Sequence, residues 1–223
     1  MSLAQLVELV VSHASERELA EARLAFERET GAFSVGDACY EERIEAFFVW
    51  MAVEWQAGPA SKRFAAESPA LPPEHSRLLV ALASSMRSLW EVRESGVGGR
   101  IRVRCLVGHA EFAVQPDPPA ALRWTVGDVF DGRVVGTPGG IQVAPGAIFH
   151  PHEAHEALKS LLAEARARGR CDASLLDPLL KIRMRFDAFT SIAARHVYRF
   201  DALSCSDVLA APWHGPPRPP PTA

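Results

Sequence analysis

Apolar residues recur with the period of an α-helix through the first 95 residues of the chain. Ser2 with Gln5, and Ser15 with Glu18, have the spacing of a capping box, in which side chains satisfy backbone amides of the first helical turn. Each box is followed by an apolar stripe at spacings of three and four residues. The pattern therefore predicts that helices begin after Ser2 and after Ser15.

Two further stripes extend this helical half of the chain. The first follows Asp37 and is broad enough to face a core: Tyr40, Ile44, Phe47, Phe48, Met51 and Trp55. The second predicts a helix that continues as far as Gly96: Leu78, Leu82, Met86, Leu89 and Trp90. Amphipathic helices bury their apolar stripes against one another. We therefore expect a helical bundle over residues 1–95.

The hydrophobic pattern changes to a period of two near Arg100. Three apolar residues alternate there with three arginines: Ile101, Val103 and Cys105 with Arg100, Arg102 and Arg104. Such alternation is typical of a β-strand with one buried face. Further short apolar segments follow at 111–114, near Trp124, at 129–135 and at 141–143. Together they predict a small antiparallel sheet or half-open barrel over residues 96–149.

The helical period returns after the sheet region. Its last part runs from Asp177 to Phe200, which predicts a helix of more than twenty residues, preceded by a shorter one. We therefore expect two C-terminal helices over residues 150–210. Residues 211–223 are rich in proline, which favours an extended polyproline II tail. The whole pattern predicts an α+β fold.

Composition and charge restrict the function classes. The chain has 223 residues, of which 48% are hydrophobic, and 24 lysines and arginines against 27 aspartates and glutamates give a net charge of −3. These values are typical of a globular protein and give little support to nucleic-acid binding. No apolar segment approaches the ~20 residues of a membrane span, and the N-terminus lacks the basic segment of a signal peptide. We therefore expect a cytoplasmic protein that does not bind membranes.

Three histidines near the end of the sheet region form the densest set of candidate metal ligands. They are His150, His152 and His155, with Glu153 and Glu156 beside them. Imidazole and carboxylate groups bind zinc and other divalent transition metals. The spacing differs from the HExxH motif, in which the histidines are four residues apart. The alternative is a helix N-terminus whose glutamates interact with the helix dipole.

The alternating arginines Arg100, Arg102 and Arg104 would lie on one face of the predicted strand. Such a face can bind a phosphate or another anion, so weak nucleic-acid binding is one hypothesis. Exposed aromatic residues for base stacking are few in this region. The alternative is a solvated strand face, or a sheet edge that is protected by charge.

Two further surfaces can contact a partner protein. The predicted long helix carries basic residues that would face either an acidic partner or the acidic N-terminal half of the chain: Arg183, Arg195 and Arg199. The tail contains a proline-rich segment with one cation, the chemistry of a polyproline II ligand. Its residues are Pro217, Arg218 and Pro219. The alternative for the tail is an inert, soluble terminus.

No set of catalytic residues converges in the sequence. A nucleophile elbow, a phosphate-binding loop and a glycine-rich dinucleotide motif are absent, and the four cysteines contain no CxxC pair. The leading hypothesis is a cytoplasmic, non-enzymatic adaptor or regulatory protein that binds a protein partner and needs no cofactor. One alternative is a metal-binding protein or metal-dependent hydrolase that uses His150, His152 and His155. The other is a weak nucleic-acid binder that uses the three strand arginines.

Overall fold

The computed structural model describes residues 1–55, 60–68, 71–95, 100–115, 124–188 and 192–203. They form a mixed α+β fold, which confirms the predicted fold class. The helices are α1 (Leu3–Val11), α2 (Glu16–Thr30), α3 (Tyr40–Val53), α4 (Ala60–Glu67), α5 (Pro73–Ala83), α6 (His155–Ala167), α7 (Leu176–Ala188) and α8 (Ala194–Val197). The strands are β1 (Met86–Ser95), β2 (Ile101–Cys105), β3 (Glu111–Val114), β4 (Val129–Thr137), β5 (Gly140–Val143) and β6 (Ile148–His150). None of these helices has the length and apolarity needed to cross a membrane.

Both predicted capping boxes are present in the N-terminal helices. The Ser2 side chain accepts a hydrogen bond from the Gln5 amide, and Ser15 does the same for Glu18, so α1 and α2 begin where the sequence predicts. Helices α1 to α5 bury a common core whose larger members are aromatic or long aliphatic side chains: Leu6, Phe26, Phe47, Trp50, Met51 and Leu82. Full burial of one such side chain stabilises the fold by about 1.5–3 kcal/mol.

Two local predictions are wrong because the side chains have other partners. Asp37 does not cap α3: its carboxylate accepts a hydrogen bond from the Ser34 amide at 2.7 Å. Helix α3 begins after Cys39 instead, whose φ of 63° lies in the left-handed region. Trp124 lies outside the strands, and its buried ring packs edge-on against Phe130 with the ring centroids 4.7 Å apart.

The largest difference from the sequence prediction concerns residues 86–95. The apolar pattern predicts a helix up to Gly96, but α5 ends at Ala83 and the chain continues as strand β1. Leu89 and Trp90 point to opposite faces of the sheet and are both fully buried, and β1 pairs with β2 on one side and β4 on the other. A strand that is buried on both faces shows no polar alternation, so its apolar residues fitted a helical period equally well.

The six strands form one curled antiparallel sheet. Five of them follow the order β3-β2-β1-β4-β5, and β6 pairs with the first residues of β4. The curl brings Gln115, which follows β3, to Gln142 of β5, and the Gln115 amide donates to the Ile141 carbonyl oxygen at 2.8 Å. The result is the predicted half-open barrel. One face is filled by aromatic and β-branched side chains: Trp90, Val103, Trp124, Phe130 and Val134.

The opposite face of the sheet packs against α6. Leu158 and Leu162 of α6 share a core with Leu89 of β1, Val129 of β4 and Leu106, which directly follows β2. This core is separate from the one that fills the barrel. Helix α6 therefore lies beside the end of β2, where the candidate site is found.

The predicted helix from Asp177 to Phe200 is also wrong. Helix α7 ends at Ala188, and the short helix α8 precedes Tyr198 as a separate element. The rings of Tyr198 and Phe200 are buried in the same core as α6. Their burial accounts for the break, because one continuous helix would carry them away from α6. The predicted proline-rich tail, 211–223, lies outside the described residues.

Candidate functional site

A cavity of about 360 Å³ lies between α6 and the turn that joins β2 to β3. Its polar lining consists of cationic and imidazole side chains: Arg104, His109, Lys159 and Arg166. Its apolar part is formed by Cys105, Leu106 and Leu162. We refer to this cavity as the basic cleft. Its volume is within the range of natural ligand-binding pockets.

The alternation of side chains in β2 and the helical repeat of α6 explain why the cations of the basic cleft lie together. In β2, the side chains of Val103 and Cys105 are buried in the barrel, so Arg104 between them points to the outer face. On α6, Lys159 and Arg166 are seven residues apart, which is close to two helical turns and puts them on one side of the helix. Leu162 lies between them and is buried in the core below. The packing of α6 therefore turns two cations towards Arg104.

Glu91 is the carboxylate that anchors these cations. It lies on β1 opposite Arg104 of β2 and is only 3% exposed. Its Oε2 accepts hydrogen bonds from Arg93 Nη1 and Arg104 Nη2, both at 3.0 Å, and Lys159 Nζ lies 3.3 Å from Oε1. Burial alone raises the pKa of the Glu91 carboxyl, but the hydrogen bonds from Arg93 and Lys159 outweigh it and the pKa is lowered. One ionised carboxylate therefore faces three cations.

Arg166 adds a charge that no described carboxylate neutralises. Its guanidinium donates a hydrogen bond to the Leu106 carbonyl oxygen, a neutral acceptor. When Glu91 is counted with Arg104, Lys159 and Arg166, the described part of the basic cleft has a net charge of +2. A concave surface with excess positive charge and an apolar floor attracts anions that carry an apolar group.

The three arginines predicted to form an anion-binding face have different surroundings. Arg100 precedes β2 and is exposed. Arg102 forms an ion pair with Glu94 at 3.4 Å on the strand surface. Arg104 reaches the basic cleft and is the member of the three that lines it. The alternation of β2 was thus predicted, whereas the grouping of Arg104 with cations of α6 was not.

Sequence reasoning missed most of the basic cleft. Lys159 and Arg166 carry a weak signal, because a seven-residue spacing on a predicted helix puts two cations on one side. His109 carries no signal of this kind. The apolar pattern places Glu91 in a predicted helix, whereas its contact with Arg104 depends on the register of two strands. The basic cleft therefore depends on a strand pairing that the sequence pattern does not show.

The three candidate metal ligands are neighbours, with the ring centroids of His152 and His155 4.9 Å apart, but their ring nitrogens have different partners. His150 is buried, its Nδ1 lies 3.0 Å from the Tyr198 hydroxyl oxygen, and burial lowers its pKa to about 3. His155 is also buried, and its Nε2 donates to the His150 carbonyl oxygen at 3.0 Å. His152 is exposed, with Nε2 3.1 Å from Asp128 Oδ1. Within the described ranges, no group of three or more histidine, cysteine or acidic side chains is arranged to hold a metal ion.

The residues predicted to contact a partner protein are dispersed. Arg183 is buried; it donates to the Phe149 carbonyl oxygen at 2.7 Å and forms an ion pair with Asp187. Arg195 is exposed on α8. Arg199 pairs with Asp201 at the surface. The remaining members of this prediction lie outside the described residues: Pro217, Arg218 and Pro219.

Comparisons with protein-family models, with curated proteins and with solved structures found no match to this chain. The chemistry of the described surface is therefore the basis on which a function can be inferred. On that surface, the basic cleft combines a cavity, converging cations and a buried carboxylate that orients them.

Proposed function

We propose that the protein is a cytoplasmic, non-enzymatic adaptor or regulatory protein that binds an acidic segment of a partner protein in the basic cleft. The observation that carries this proposal is the charge imbalance at Glu91. This buried carboxylate is shared by Arg93, Arg104 and Lys159, and Arg166 adds a further cation beside them. Like charges that are held close together raise the free energy of the free protein, and an anionic ligand removes that penalty.

The lining of the cleft favours a peptide in which acidic and apolar side chains are mixed. Leu106 and Leu162 provide an apolar floor, and Arg104, Lys159 and Arg166 surround it. A volume of about 360 Å³ accommodates a few side chains and not a folded domain. A short extended segment of a partner therefore fits the site by both shape and charge.

Nucleic acid is the less favoured anionic partner. Proteins that bind single strands usually combine cations with aromatic platforms on which the bases stack. The described lining of the basic cleft contains no phenylalanine, tyrosine or tryptophan.

The proposal is tested by fluorescence anisotropy with a labelled peptide of alternating glutamate and leucine, six residues long and blocked at both ends. We expect the peptide to bind the protein, and the double variant Lys159→Gln, Arg166→Gln to raise its Kd about tenfold, which corresponds to ~1.4 kcal/mol. The matching peptide with glutamine in place of glutamate should not bind. Added salt should weaken binding to the wild type more than binding to the double variant.

The matched control is the double variant Arg17→Gln, Arg77→Gln, which changes the net charge equally at two exposed positions of α2 and α5. An equal loss of affinity in this control would show that net charge, and not the cleft, causes binding. Failure of the acidic peptide to bind would reject the proposal. If a twelve-nucleotide single strand binds more tightly than the peptide at the same salt concentration, the partner is a nucleic acid and not a protein.

A further inference from the structure

A second concave surface lies on the other side of α6. It has a volume of about 540 Å³ and is formed by the C-terminal part of α6 and the segment around Phe200. Three arginines contribute to its lining: Arg168, Arg170 and Arg199. We refer to this surface as the second groove. Arg166 of the basic cleft is only two residues from Arg168 of the second groove, so both concavities extend to the C-terminal end of α6.

The arginines of the second groove are held in place by the end of α6 and by Phe200. The Arg170 amide donates to the Ala165 carbonyl oxygen at 2.9 Å, a bond that closes the helix and fixes the following residues. The guanidinium carbons of Arg168 and Arg170 lie 4.5 and 5.5 Å from the centroid of the Phe200 ring. Cation–π contacts of this kind orient the guanidinium groups without neutralising them.

The charges of the second groove are partly compensated. Arg168 pairs with Glu164, and Arg199 pairs with Asp201. Arg170 contacts the Phe200 ring and interacts electrostatically with Asp172, a carboxylate whose pKa is lowered mainly by hydrogen bonds from Ser174 and also by Arg170. Across both concavities, six lining cations face three paired carboxylates and Asp172, a net charge of +2 in a protein whose total is −3. Positive charge is therefore concentrated around α6.

We propose that one extended acidic segment crosses the C-terminal end of α6 and places acidic side chains in both the basic cleft and the second groove. This inference rests on the proposed function, because it describes how the same partner is bound. A helix with its side chains is about 10–12 Å across, a distance that an extended chain spans with about four residues. A partner segment of about ten residues is therefore long enough to reach both concavities.

The test compares two labelled ten-residue peptides. The two-block peptide has a Glu-Leu-Glu block at each end of a Gly-Ser-Gly-Ser spacer, and in the one-block peptide the second block is Gln-Leu-Gln. We expect the two-block peptide to bind at least tenfold tighter at low salt, because the second contact is intramolecular. The variant Arg170→Gln should reduce this gain to less than threefold and should change the Kd of the one-block peptide by less than twofold.

The control variant Arg17→Gln removes an exposed cation on α2 and should leave the gain unchanged. If both peptides bind with similar affinity, or if Arg170→Gln leaves the gain intact, the bridging inference is refuted while the proposed function stands. If neither peptide binds, both are refuted. Circular dichroism melting of each variant verifies that the compared proteins are folded.

Discussion

The close approach of the β5–β6 loop to α3 provides a direct test of the fold. Gly146 lies in this loop with a φ of 82°, and its amide donates to Glu45 Oε2 at 2.9 Å. A Cβ atom at this position would lie 2.2 Å from the backbone nitrogen of Ala46 and 2.5 Å from its Cα. Both atoms belong to the backbone of α3, so no side-chain rotation relieves the overlap. The variant Gly146→Ala must separate the loop from the helix.

The expected loss of stability is the sum of three effects. A positive φ costs an alanine about 1–2 kcal/mol relative to glycine. Overpacking of a close contact costs about 1–3 kcal/mol, and displacement of the loop breaks the hydrogen bond to Glu45, which contributes about 1 kcal/mol. We therefore expect Gly146→Ala to lower the free energy of unfolding by about 3–6 kcal/mol.

Two other glycines separate the conformational effect from the steric one. Gly127 has a φ of 95°, and a Cβ atom added there would meet no atom within 4 Å, so Gly127→Ala should cost about 1–2 kcal/mol. Gly136 has ordinary backbone angles and equally open space, so Gly136→Ala should change stability by less than about 1 kcal/mol. Urea unfolding followed by tryptophan fluorescence and circular dichroism measures all three. Equal losses for Gly146→Ala and Gly127→Ala would show that the loop does not contact α3 as described.

Two further predictions concern buried ionisable groups. Burial, with Arg183 and His155 nearby, lowers the pKa of His150 from 6.5 to about 3. The neutral imidazole therefore contributes stability above pH 6.5. This stability is lost as the pH falls towards 3, by up to about 1.4 kcal/mol per pH unit. Urea unfolding of His150→Gln between pH 7 and 4.5 should show a shallower loss than the wild type, and parallel curves would contradict this. Glu91→Gln should lower the free energy of unfolding by about 1–2 kcal/mol, since its cations are partly exposed. The exposed Glu94→Gln should change it by less than about 0.5 kcal/mol; similar losses in the two variants would contradict the anchoring role of Glu91.

The sequence predicts correctly those helices and strands that are determined by residues close together in the chain. The capping boxes at Ser2 and Ser15 depend on residues three positions apart, and both are present. The alternation around Arg104 depends on a single strand with one buried face, and β2 has it. For such elements, short-range hydrogen bonds and the period of the apolar residues suffice.

Elements that are fixed by distant contacts were not predictable in the same way. Strand β1 has apolar residues on both faces, and it is a strand and not a helix because it pairs with β2 and β4. The end of α7 is settled by the burial of Tyr198 and Phe200 against α6. In both cases the single-chain pattern fits a helix, and tertiary packing overrides it.

The basic cleft is also fixed by distant contacts. It depends on β1, the segment that the sequence pattern wrongly predicts to be helical. If residues 86–95 were helical, Glu91 would have no partner strand and could not lie opposite Arg104. Because β1 is a strand, Glu91 is buried under α6, where it orients Arg104 and Lys159 but cannot neutralise both together with Arg93. A single buried carboxylate thus both gathers the cations and leaves them with excess charge. The same strand pairing that organises the sheet therefore produces a surface that attracts an acidic partner.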